Sequence, residues 1–96
     1  MTESAYQNKL IRKLNKLFPG CVVLKNDPTY TQGIPDLTLL WGRHWAALEV
    51  KAHAKANQRP NQDYYVNQMA DMSFAAFIYP ENEGEVLIAL QEAFAS

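Results

Sequence analysis

The 96-residue chain is short of several residue types, and each shortage excludes something. Cys21 is the only cysteine, so no internal disulfide can form and no cysteine cluster can hold zinc. A lone thiol fits a reducing compartment, and a cytoplasmic location is expected. No apolar run approaches the roughly 20 residues of a membrane helix, and the stretch from Met1 to Lys9 lacks the apolar core of a signal peptide. No membrane partner is therefore expected. His44 and His53 have no second His or Cys at metal-ligand spacing. Repeats and low-complexity segments are missing too. Beyond residue 59 there is no Lys or Arg.

That last absence sets up a charge asymmetry under a net charge of only −1. Residues 1–59 hold all nine cations and four acids, Glu3, Asp27, Asp36 and Glu49, a net of +5. Residues 60–96 hold six acids and no cation, a net of −6. Such a split fits a polyanion partner for the basic half, or two halves that attract each other within one fold. Apolar content of 48% with 20% charged residues is that of an ordinary globular protein, and the length suits one domain spanning residues 1–96.

Hydrophobic periodicity gives the elements. Over residues 3–18, Leu10, Ile11, Leu14, Leu17 and Phe18 fall on one side of a helix that Thr2 or Ser4 caps and Pro19-Gly20 ends. Ser4 and Gln7 have capping-box spacing. Lys9, Arg12, Lys13 and Lys16 cluster on the other side, ordinarily a solvated face, with a DNA contact as the lesser alternative. Glu3 and Gln7 project onto the apolar stripe, where a polar pair needs a partner unless the first turn extends beyond the core. Residues 21–26 and 36–41 read as strands. Gly42-Arg43-His44 reads as a tight turn, and Trp45–Lys51 as the returning strand of a hairpin. A helix from about Asn61 to Met72, a buried strand over Phe74–Tyr79 and an amphipathic helix from about Glu83 to Phe94 follow. The order α-β-β-β-α-β-α predicts an α/β fold: a small mixed sheet flanked by helices, with strands two and three antiparallel and strands three and four parallel. Trp41 and Trp45 flank the turn and are expected to form a structural cross-strand cluster, with an exposed dimer or DNA-stacking surface as the alternative.

Chemistry concentrates on the hairpin. Side chains alternate along a strand, so Glu49 and Lys51 share one face and Leu48 and Val50 the other. Glu-x-Lys alone is ordinarily a surface ion pair. Asp36 opens the partner strand, however, and the hairpin folds it back toward Glu49. Two carboxylates at one spot repel unless a cation sits between them. Oxygen ligands without Cys or His favour Mg²⁺ or Mn²⁺. Lys51 supplies a positive charge able to position a nucleophilic water. Gln62, in the first turn of the next helix, faces the sheet, where it either hydrogen-bonds at the end of strand three or is a polar group of the helix N-terminus bound to water.

Gly33-x-Pro35-Asp36, then Glu49-x-Lys51, then Gln62 on a following helix resembles the PD-(D/E)XK nuclease superfamily. Within it the pattern is most similar to the virus-type replication-repair nuclease group, VRR-NUC, whose first-helix Glu is matched by Glu3. The resemblance implies a restriction-endonuclease-like αβββαβα core and Mg²⁺-dependent hydrolysis of phosphodiester bonds in DNA, with Mn²⁺ able to substitute. It implies that Asp36, Glu49 and the Val50 carbonyl hold the metal and that Lys51 positions the water. Gln62 would orient Lys51 or the phosphate, and Glu3 would act through a metal-bound water. Lys25, Arg43, Lys55 and Arg59, on loops that would flank the site, are candidate phosphate contacts, each equally readable as solvated surface. Stand-alone members of this size resemble phage-encoded homodimers that cut branched DNA, including four-way (Holliday) junctions, in the host cytoplasm. A less selective nicking or end-processing nuclease and a catalytically silent nucleic-acid-binding module are the competing readings. No small-molecule substrate is expected.

Overall fold

The computed structural model describes residues 1–95. Helix α1 (Glu3–Leu17) starts at Thr2, whose hydroxyl accepts from Ala5 N at 3.0 Å and satisfies one of the free amides of the first turn. Ser4 therefore does not cap it. The helix ends before Pro19-Gly20, with Gly20 at φ +86°. Its buried side is Tyr6, Leu10 and Leu14, continued by Phe18 just past the helix. The apolar stripe thus begins a turn earlier than the aliphatic residues alone indicate, at an aromatic whose hydroxyl donates to Glu83 Oε1 at 2.8 Å.

Strands β1 (Val22–Lys25), β2 (Leu37–Trp41) and β3 (His44–Val50) form an antiparallel meander. His44 pairs with Trp41, so the hairpin loop is only Gly42-Arg43 and His44 belongs to β3, not to the turn. Gly42 takes φ +61° at the first loop position, where a II′-type hairpin requires glycine. Helix α2 (Pro60–Met72) crosses over to β4 (Phe74–Ile78), which lies parallel to β3, and α3 (Glu83–Phe94) follows β4. The four-stranded sheet runs β1-β2-β3-β4, the mixed arrangement expected from the sequence.

Alternation sorts the sheet into two faces. Leu37, Leu39, Ala46, Leu48, Val50 and Ile78 are fully buried on the face covered by α1 and α3, with Val86, Leu87, Leu90 and Phe94 opposite them. Helix α2 packs on the other face, over β3 and β4. Val22, Leu24 and Leu40, beyond the reach of α2, stay 49%, 45% and 39% exposed. Trp41 stacks on Phe94 (centroids 6.2 Å), meets Phe18 edge-on (5.2 Å) and donates through Nε1 to Pro19 O at 3.0 Å. Trp45 sits one register position away, opposite Leu40, and so points to the other face. The expected Trp41–Trp45 cluster does not form, because residues 41 and 45 differ by one step in the pairing with His44 and Leu40.

Candidate active site

The register of the hairpin builds the site. Leu37 pairs with Leu48, so one step further Asp36 lies opposite Glu49 at the sheet end away from the turn. Asp36 precedes β2 and Lys51 follows β3, each by one residue. Val50 N donates to Asp36 Oδ2 at 2.9 Å, which ties the carboxylate to the end of β3. A strand residue directs its N–H and C=O to the same edge, so the Val50 carbonyl also faces the Asp36 side. The next amide turns the other way: Lys51 N donates to Ile78 O at 2.9 Å.

Glu49 is 2% exposed and Lys51 7%, the only buried charged residues among those described. Their Nζ and Oε2 are 3.5 Å apart. Gln62 joins them from the first turn of α2. Its Nε2 donates to Glu49 Oε2 at 2.9 Å, and its Oε1 accepts from Lys51 Nζ at 2.9 Å and from Arg59 N at 3.1 Å. One amide thus fixes the carboxylate, the ammonium and the start of its own helix. Glu49 Oε1 is buried with no hydrogen-bond partner. Burial, then the charge of Asp36, raises the Glu49 pKa to about 7 against the opposing pull of Lys51. Burial also raises Asp36, although the Val50 amide and Lys51 counteract it.

A cleft of about 270 Å³ opens over the two carboxylates. The loop of residues 28–34 forms one wall, and Arg59, Asn61 and Gln62 form the other. Several bonds brace that loop. Asp27 Oδ1 accepts from Thr29 N (2.9 Å) and Oγ1 (2.7 Å). Asn26 donates its amide N–H to Asp36 O (2.8 Å) and its side-chain N–H groups to Pro35 O (2.8 Å) and Thr38 Oγ1 (2.9 Å). Gly33, at φ +88°, presses against Asn61 so closely that a Cβ there would lie 2.7 Å from the Asn61 side chain.

Asp36, Glu49, Lys51 and Gln62 therefore converge. Glu3 does not touch them: it is exposed at the start of α1, beyond the core, and only its charge reaches Glu49. Arg59 lines the cleft, and Lys55 is exposed on the loop after β3. Lys25 lies on the α1 side of the sheet, with Nζ 3.4 Å from Asn8 Oδ1. Arg43 sits in the hairpin turn at the opposite end of β3, about 20 Å of strand from the carboxylates. That distance was implicit in the hairpin itself, since the turn and the open end of a hairpin cannot flank one site. Asn26 and Asn61 do not stand out in the sequence. The signal for Asn61 was Gly33, but its partner is set only by the fold.

Two carboxylates, a carbonyl and water suit Mg²⁺, which keeps several waters and uses one or two carboxylates. The unpartnered Glu49 Oε1 is an oxygen donor that such an ion could take up. Among the described residues no cluster of three or more His, Cys, Asp or Glu forms a richer ligand set. No protein-family model matches the chain, and no curated protein matches it.

Proposed function

We propose that this chain is a metal-dependent nuclease of the PD-(D/E)XK type that hydrolyses phosphodiester bonds in DNA. The observation that carries the reading is the pair of half-buried Asp36 and buried Glu49 at one sheet end, with an unsatisfied Glu49 oxygen and Lys51 beside it. Asp36, Glu49 and the Val50 carbonyl would hold Mg²⁺. Bound there, the ion supplies Lewis acidity toward a phosphate oxygen and lowers the pKa of water.

The chain's own residues do the rest. Gln62 holds Lys51 Nζ in place, so the ammonium is oriented before substrate arrives. Lys51 orients the attacking water and offsets charge that develops on the phosphoryl oxygens. Gln62 also fixes the Glu49 carboxylate, which keeps the second oxygen turned inward. Arg59 and the 28–34 loop border the cleft where the sugar-phosphate backbone would enter. Glu3 acts at longer range, through its charge on Glu49. The VRR-NUC resemblance narrows the substrate to branched DNA such as four-way junctions and brings a homodimer with it, which molecular mass in solution tests.

The deciding experiment compares a labelled four-way junction with a linear duplex of matching sequence, with Mg²⁺ and with chelator, using wild type and Glu49→Gln. The expected result is metal-dependent cutting of the junction that is lost in the variant. Equal cutting of both substrates would sink the junction preference and keep the nuclease. No cutting by folded protein, with Mn²⁺ also tried, would leave a silent binding module.

A further inference from the structure

Helix α1 carries a cationic strip that the cleft does not use. Lys9, Arg12 and Lys16 are exposed and, with Lys13, line a shallow groove on the side of α1 turned away from the core. Lys13 is the one of the four that forms an ion pair among the described residues, with Glu83, which also accepts from Tyr6. The others stand at i, i+3 and i, i+4 spacings from like charges, an arrangement that destabilises a helix. The charge of Lys9 also reaches Glu83, so the acidic half offsets the Lys9–Lys13 edge of the strip, while Arg12 and Lys16 remain exposed. Lys25 adds a fifth cation, brought beside α1 through Asn8. Lys25 pairs with Leu37, the neighbour of Asp36, so the strip starts near the open end of the sheet. From Lys9 to Lys16 it runs about 10 Å along the helix. That length matches about three base-pair steps of one DNA strand, spaced about 3.4 Å apart.

Building on the nuclease reading above, we propose that Lys9, Arg12 and Lys16 form a second phosphate-binding surface, which holds duplex DNA extending past the cleaved bond. The strip reads no sequence: three exposed cations on a smooth helix face contact phosphates only. Its contribution is therefore electrostatic and steeply salt-dependent.

The test measures binding of a labelled duplex by fluorescence anisotropy across about 50–200 mM salt, in chelator, in a Glu49→Gln background. The K9A/R12A/K16A triple is expected to bind at least roughly tenfold more weakly at the low-salt end. Its log–log salt slope should fall by about 2–3, since each phosphate left without its cation removes about 0.9. The charge-conserving triple K9R/R12K/K16R should bind like its parent. Circular dichroism should show an intact helix in both, since alanine favours it. An alanine triple with unchanged affinity and slope overturns the proposal. Hydrolysis of a dinucleotide, too short to reach α1, separates the two readings. It is expected to be equal with and without the alanine triple in the otherwise wild-type chain. If the wild-type chain cuts neither the dinucleotide nor the four-way junction, the nuclease reading falls while the binding slope still judges the strip.

Discussion

At the scale of single residues, Gln62 is the pivot of the site. Its amide can satisfy Lys51, Glu49 and the Arg59 backbone together in only one orientation, with the carbonyl toward the two donors. Gln62→Leu keeps the size and removes all three bonds, so kcat should fall while the KM for DNA changes little. Lys51→Met removes a preorganised positive charge and should cost roughly 10²–10³ in kcat, measured on the same substrate. Gly33 is constrained twice, by φ +88° and by the Asn61 side chain 2.7 Å from where a Cβ would stand. Gly33→Ala is expected to destabilise by about 1–3 kcal/mol in urea unfolding and to raise KM by displacing the cleft wall. An unchanged midpoint would show that the loop relaxes freely and contributes nothing to the site.

At the scale of elements, the hairpin and α1 divide the work. The two-residue loop at Gly42-Arg43 fixes the β2–β3 register, and the register decides which carboxylates meet. A one-residue slip would turn Glu49 and Lys51 into the core and Leu48 and Val50 out of it. Helix α1 anchors the other face through Leu10 and Leu14, both fully buried. Leu10→Ala should cost about 2–5 kcal/mol, read from the shift in denaturant midpoint. Glu83 ties α1 to α3 through Tyr6 and Lys13. Burial pushes the Glu83 carboxyl up, but the hydrogen bonds from Lys13 and Tyr6 and the charges of Lys13 and Lys9 outweigh it, and its pKa lies below the ordinary carboxylate value. The link is thus strongest above the ordinary carboxylate pKa and is lost as pH falls through the depressed one.

The whole molecule carries a second pH dependence of opposite sign. Glu49 titrates near 7 in the folded chain against an ordinary 4.5, so the folded state keeps a proton that the unfolded chain has released. Its contribution to stability is complete below about 4.5 and is lost as pH rises through about 7. Metal-free protein should therefore melt at a lower temperature at about pH 8 than at about pH 5.5, and Glu49→Gln should flatten that difference. If the proposed metal site is right, Mg²⁺ would bind the ionised carboxylates and should restore the melting temperature at the higher pH far more than at the lower, with proton release visible by calorimetry. A metal-free melting temperature that rises across the same interval, in a chain whose Glu49→Gln variant behaves the same way, would show that Glu49 is not the group in control.

The elements, their order and the spacing of the central pair were legible in the chain before it folded. Helical stripes, alternating strands and glycine at a tight turn are local properties, and a short hairpin converts the interval from Asp36 to Glu49 into proximity without further information. Lys51 followed from the period of two, and Gln62 from the helix wheel. What lies between elements was settled by packing alone. Packing set Gly33 against Asn61 and Asn26 around Asp36, and it held Glu3 outside contact. It also sent Trp41 and Trp45 to opposite faces and left Arg43 a strand's length from the carboxylates. It fixed the burial of Glu49, and with it the pKa near 7. Periodicity states which side of an element is apolar. It does not state what the opposite element places there, and desolvation and hydrogen bonding depend on that second surface.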